Sequence, residues 1–186
     1  VAKLYLILMT INMKCLTRVL LALLLFQTST YAQESWQIVP GKIKTPWADK
    51  VTAENPLPEY PRPQLVRKDW TNLNGLWQYS ILPKDQTGIP ESTQGSILVP
   101  FAVESALSGV GKTVGKDSIL WYKRTISVPN TKNKNVLLHF GAVDWLCTVF
   151  VNGKEVGAHQ GGYDPFSIDI TSAFKKGAKQ DIAIRL

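Results

Sequence analysis

Val149-Phe-Val-Asn-Gly-Lys-Glu-Val156 runs almost directly into His159-Gln-Gly-Gly-Tyr-Asp-Pro-Phe166, and reading these two stretches decides the fold. Asn152-Gly153 sits between two β-rich runs. A type I′ turn needs positive φ at both central residues, and Asn-Gly supplies this at little cost, so the first stretch reads as a tight hairpin whose turn fixes the strand register. The second stretch reads as a loop of unusual composition, with two adjacent glycines, an aromatic, an acid and a proline.

Working outward, the residues after Trp70 form short β-like runs divided by turn residues. Leu76-Trp-Gln-Tyr-Ser-Ile-Leu82 alternates as a strand does, with Leu73-Asn-Gly75 supplying the turn before it. Ile97-Leu-Val-Pro100 is a brief run stopped by proline. Further runs span 119–128, 136–140, 146–151 and 181–186. No segment of convincing helical period follows residue 32. Several short strands at this spacing point to an all-β sandwich. The last run, Gln180-Asp-Ile-Ala-Ile-Arg-Leu186, reads as a strand cut short, an unpaired edge that would be costly.

Between residues 33 and 67 prolines crowd: Pro40, Pro46, Pro56, Pro58, Pro61 and Pro63. Each removes a donor and biases its predecessor toward extended backbone, so this lead-in is expected to lie along a surface without pairing. The expected organisation is therefore an upstream segment with an export signal at 1–32, an extended lead-in at 33–68 and a β-sandwich domain at 69–186.

The export signal rests on Met13-Lys-Cys-Leu-Thr-Arg18, the apolar run Val19 to Phe26, and the small-x-small pattern Thr30-Tyr-Ala32. This reads as a secretory signal peptide over about residues 13–32, implying a secreted or periplasmic protein. The eight-residue apolar run is too short to cross a bilayer, so the mature chain is expected to have no membrane span. Of 21 basic residues, Lys3, Lys14 and Arg18 fall in this region, leaving 18 against 14 acidic and a net charge of +4. No basic face stands out, which argues against a nucleic-acid partner. Cys147 remains alone in an apolar strand and reads as a small core residue. His139 and His159 are too isolated for a zinc site. Ser108-Gly-Val-Gly-Lys112 lacks the spacing of a phosphate-binding loop.

Leu120-Trp-Tyr-Lys-Arg124, Leu137-Leu-His-Phe-Gly-Ala-Val-Asp144, the Asn152-Gly153 hairpin and the Gly-Gly-Tyr-Asp-Pro-Phe loop, taken together, resemble the N-terminal sugar-binding domain of glycoside hydrolase family 2, the family of β-galactosidases, β-glucuronidases and β-mannosidases. The resemblance spans about residues 69–186. It implies a jelly-roll, galactose-binding-like sandwich, a carbohydrate substrate, and immunoglobulin-like and barrel domains beyond it. It also implies that the two catalytic glutamates lie in that barrel. No catalytic residue, metal site or cofactor is therefore assigned to this chain, which is expected to be inactive alone.

What the resemblance leaves to the sugar-binding domain is positioning. The matching segments are Gln160 to Phe166 and Phe101 to Lys112, and the substrate-binding candidates are Gly161, Gly162, Tyr163 and Asp164. In galactosidases of the family, an aspartate contacting the sugar or a cation falls where this chain has Gly161, so that contact is not carried over. Each candidate also has a structural reading. Asp164 is expected to cap the turn before Pro165, Asp169 to stabilise the passage into Thr171 and Ser172, and Glu104 to brace its own loop. Trp121 and Phe166 are expected in the core, and Tyr163 fits either role. The alternative from another class is a free-standing carbohydrate-binding or adhesion module.

Overall fold

The structure is a computed structural model, and it describes residues 36–57, 59, 65–128, 134–175, 177 and 179–186. The export signal of 1–32, Lys132 and part of the Asn55–Pro63 run lie outside the described residues. Among the described residues eight strands follow in order: β1 (Gly75–Pro83), β2 (Gly95–Val99), β3 (Ser118–Ser127), β4 (Leu137–Phe140), β5 (Leu146–Val151), β6 (Lys154–Gln160), β7 (Phe166–Asp169) and β8 (Lys179–Arg185). The helical elements among the described residues are 3-10 turns at Pro46–Lys50 and Thr171–Ala173. The first departs from the fully extended lead-in expected there, and Pro46 at its start explains why, since a fixed φ suits the first helical position. The lead-in also pairs at one point, where the Val39 amide donates to the Ala106 carbonyl at 2.9 Å.

Six strands form one antiparallel sheet in the order β2-β1-β3-β8-β5-β6, and β4 pairs with β7 in a second. This is the all-β, jelly-roll sandwich expected of the sequence. Alternation assigns the faces, because neighbouring residues on a strand point to opposite sides. Trp77 and Tyr79 of β1, Leu120 and Tyr122 of β3, Cys147, Val149 and Val151 of β5, and Ile182 and Ile184 of β8 face inward, where Leu138, Phe140, Phe166 and Ile168 of the smaller sheet meet them. The alternate positions Ile119, Trp121, Phe150 and Ala183 form a smaller apolar cluster on the outer face. Trp121 is fully buried there, as expected of a core tryptophan. Lys123 and Arg124 diverge as strand neighbours must, toward the Pro90 carbonyl (2.6 Å) and the Leu73 carbonyl (2.7 Å).

The hairpin takes the conformation read from the sequence, with Asn152 at φ 53° and Gly153 at φ 83°. Val151 pairs with Lys154, and farther along a bulge shifts the register between Val149, opposite Gly157, and Phe150, opposite Glu155. Three elements differ from the sequence reading. His159 and Gln160 belong to β6 rather than to the loop, and Phe166–Asp169 forms β7. The third difference concerns β8. It is not an edge but a central strand, paired with β3 from Lys179 to Arg185 and with β5 from Ile182 to Arg185.

The Asn152 side chain extends the hairpin into the core. Its amide donates to the Ala173 carbonyl (2.9 Å) and to Gln180 Oε1 (2.6 Å), while its Oδ1 accepts from the Asp181 amide (3.0 Å). Gln180 is buried, and it is satisfied by Lys175 and Gly177 as well. An Asn152→Gly variant keeps the turn but removes all three bonds, and we expect it to lose about 1–3 kcal/mol in urea denaturation. Asn152→Ala adds the strain of a β-carbon at positive φ and should lose about 1–2 kcal/mol more than the glycine variant.

Candidate sugar-binding site

Strand pairing builds the site. Phe140 at the end of β4 pairs with Phe166 at the start of β7, and Leu146 at the start of β5 pairs with Gln160 at the end of β6. The connections 141–145 and 161–165 therefore emerge side by side at one end of the sandwich. The Gly161 amide fastens them together by donating to the Trp145 carbonyl at 2.7 Å.

Behind this end lies an aromatic stack. Phe140 and Phe166 stack at 4.6 Å, and His159 stacks on the other side of Phe166 at 4.0 Å and 12°. Phe166 thus packs against the core as expected, and His159 presses against it with its Nε2 buried and without a hydrogen-bond partner. Cys147, opposite His159 on β5, is buried, and burial pushes its thiol above the usual range against an opposing backbone hydrogen bond with His159. A thiol held protonated is a poor nucleophile, in keeping with a packing role.

In front of the stack the four candidates come together, with different surroundings. Gly161 has φ of 138°, a conformation open to glycine, and a β-carbon there would meet His159 Nε2 at 3.4 Å and Asp164 Oδ2 at 3.7 Å. At Gly162 a β-carbon would lie 2.8 Å from Asp144 Oδ1, so the glycine makes room for that carboxylate. Tyr163 is 95% exposed, which removes the core reading. Asp164 is exposed too, and its side chain makes no hydrogen bond among the described residues, so it does not cap the turn before Pro165. Proline at 165 already fixes the backbone there, and the cap is not needed. Asp144 and Trp145 also adjoin the glycine pair. Their recruitment depends on long-range pairing of β5 with β6, which no local pattern around residue 144 announces.

Asp169 does what its sequence position suggested. Its Oδ1 accepts from the Thr171 amide at 2.9 Å, and Thr171 Oγ1 in turn accepts from the Val136 amide at 2.7 Å, tying the end of β7 to the start of β4. Hydrogen bonding to Thr171 holds the Asp169 carboxyl below the usual carboxylate range.

The other candidate segment, 101–112, is braced by Ser108 rather than by Glu104. The buried Ser108 hydroxyl lies between the carbonyls of Val103 (3.0 Å) and Ser105 (2.8 Å) and accepts from the amides of Val110 (3.0 Å) and Gly111 (3.3 Å). A short hydroxyl close to the backbone can do this, whereas the Glu104 side chain is exposed. Glu104 acts at longer range. Burial first, and its charge second, push the Tyr122 phenol up to about 12. The glycines of this loop make a saddle for the lead-in. Trp36 Nε1 donates to the Leu107 carbonyl at 2.9 Å, and a β-carbon on Gly109 would lie 2.5 Å from Trp36 Cδ1.

Residues 110–186 match the family model described as "Glycosyl hydrolases family 2, sugar binding domain". This part of the chain is similar to that domain. The chain is 43% identical over 121 residues to a protein named putative β-glucuronidase from Formosa agariphila, covering 62% of this chain and 14% of the relative. It is 33% identical over 116 residues to a β-galactosidase from Thermoanaerobacter pseudethanolicus, covering 59% and 15%. Among solved structures, a β-glucuronidase from Ruminococcus gnavus in complex with D-glucuronic acid superposes with a TM-score of 0.51 at 25% identity, over 65% of this chain and 22% of that one. The chain thus spans a small part of the length of these relatives.

Two outcomes follow from the geometry. Because the folded-state pKa of Asp169 is depressed, its contribution to stability is present above the unfolded carboxylate pKa of about 3.9 and is lost as pH falls through the lower folded value. Asp169→Ala should therefore lower the melting temperature at pH 7, and the difference from wild type should shrink in melts below about pH 4. Gly109→Ala should loosen the lead-in, seen as faster proteolysis ahead of residue 45 while the β-sheet circular dichroism is retained.

Proposed function

We propose that this chain is the non-catalytic sugar-binding part of a retaining β-glycosidase, exported by the signal at residues 13–32, and that its loops 141–145 and 161–165 form part of the wall that receives the sugar. The match of residues 110–186 to the family 2 sugar-binding domain carries this reading, and the names of the relatives, β-glucuronidase and β-galactosidase, support it.

Hydrolysis with retention needs two carboxyl groups about 5 to 5.5 Å apart, one as acid and base, the other as nucleophile. The described glutamates, Glu54, Glu59, Glu91, Glu104 and Glu155, are all exposed. They sit in the lead-in, in loops and on β6, and none lies in the apolar enclosure that a general acid requires. On this reading the reacting carboxyls belong to a barrel domain of the whole protein, with an immunoglobulin-like domain between. The sandwich contributes orientation, in which binding energy from groups remote from the reacting bond helps hold the substrate for attack.

The test is enzymatic. The 186-residue chain should leave chromogenic β-galactosides and β-glucuronides uncleaved, while the same sequence carried in a polypeptide with a barrel should cleave one of them with the anomeric configuration retained in proton NMR. Turnover by the short chain would overturn the assignment. A signal-free variant retained in the cytoplasm, with the natural form exported, would support the export signal.

A further inference from the structure

Two large aromatic side chains stand in solvent at the end of the sandwich where connections 141–145 and 161–165 meet. Tyr163 is 95% exposed and Trp145 is 57% exposed, with Leu146 beside it at 54%. Rigid aromatic faces in water are uncommon away from interaction sites, and they offer large contact area at low entropic cost. Beside them are two carboxylates, Asp144 and Asp164, neither of which makes a hydrogen bond or ion pair among the described residues. The glycine pair brings all of this together. Asp144 occupies the space a side chain at 162 would fill, and Asp164 and His159 Nε2 both lie near the space a side chain at 161 would fill.

Each part of this surface favours a particular ligand chemistry. The C–H face of a pyranose ring packs on an aromatic ring, and free carboxylates accept hydrogen bonds from neighbouring sugar hydroxyls. Charge then selects among sugars. Two carboxylates without a lysine or arginine bonded to either repel a third, so a uronate is disfavoured at this surface while an uncharged ring is not.

We propose that Trp145, Tyr163, Asp144 and Asp164 form a stacking surface for uncharged pyranosides that rejects uronates. It rests on the sugar-binding reading above and adds the class of ligand. Relatives of this chain carry the name β-glucuronidase, so in a glycosidase of that kind this surface takes a neutral sugar of the glycan rather than a terminal uronic acid. Trp145 and Tyr163 supply the ring faces, and Asp144 and Asp164 hold the hydroxyls. Gly161 and Gly162 leave room for both carboxylates.

The experiment is a 15N-HSQC titration of the purified chain, following the amides of Gly161 and Gly162, with methyl β-D-glucopyranoside and methyl β-D-galactopyranoside as neutral probes and methyl β-D-glucuronide as the charged one. A neutral probe should bind at least about fivefold more tightly than the glucuronide, with the gap narrowing at high salt. Tyr163→Ala and Trp145→Ala should each weaken neutral binding by about tenfold, the order expected for loss of a well-packed aromatic contact. Both side chains are exposed, so the variants should keep the wild-type melting temperature. Asp144→Asn combined with Asp164→Asn should bring the charged and neutral probes to within about twofold of each other.

Tighter binding of the glucuronide, or neutral binding unchanged in both aromatic variants, would overturn the proposal while leaving the glycosidase reading intact. So would a dimer in light scattering that Tyr163→Ala dissolves without any saccharide response. Failure of every probe to shift Gly161 or Gly162 would remove the surface, whereas the barrel-bearing polypeptide's hydrolysis is measured separately and is untouched by that result.

Discussion

β8 lies between β3 and β5, and its antiparallel pairing on both sides is the constraint on which the larger sheet depends. Without it β2-β1-β3 and β5-β6 are separate ribbons, and a small isolated ribbon is marginal in water. The side chains of β8 join the two layers of apolar packing as well. Ile182 and Ile184 enter the inner core and Ala183 the outer cluster. Arg185 completes the link on the outer face, its guanidinium 5.9 Å from the Trp121 ring and 5.8 Å from that of Phe150. It donates to Thr148 Oγ1 on β5 and to the Thr87 carbonyl, so one cation spans both flanking strands and the loop above them. The Trp121 Nε1 beside it stays buried without a partner, a cost that the packing of a fully enclosed indole offsets.

The same strand shows why parts of the fold were legible in sequence and others were not. Asn152-Gly153 carried its own answer, because a two-residue turn at positive φ is a local matter. Trp121 and Cys147 were legible as core because alternation along β3 and β5 places them. The position of β8 depends instead on partners about 60 and 35 residues earlier, and nothing within Gln180–Leu186 distinguishes a central strand from an edge. β7 was missed for a related reason. Four residues, two of them polar, make too short a run for alternation to register, and β7 exists because β4 lies alongside and Asp169 and Thr171 pin its end.

At the candidate site the loop residues 161–164 were visible as a composition, and the aspartates divided. Asp169 has an amide two residues ahead to bind, so its role could be read from sequence. Asp164 has proline after it, and its turn is set without help from the carboxylate. Asp144 and Trp145 were beyond reach of local pattern, since their neighbours at Gly161 and Gly162 are supplied by the far end of a hairpin. In the 101–112 loop the carboxylate of Glu104 is the conspicuous polar group in sequence, while the smaller hydroxyl of Ser108 does the bracing, because four backbone groups surround it at hydrogen-bond distance.

The strand order also bears on how the protein folds as it is synthesised. A nascent chain leaving the ribosome presents β1, β2 and β3 first and the β5–β6 hairpin later, yet the strand that joins them is eighth in order. Until residues 179–185 have emerged, the facing edges of β3 and β5 carry open backbone donors and acceptors, and Trp121 and Phe150 lack the cover of Arg185. Such edges are the surfaces at which growing chains associate wrongly. Release of the sandwich from chaperone care therefore has to wait for β8, and a substitution in β8 should reduce yield in cells more than its effect on the folded sheet alone would indicate.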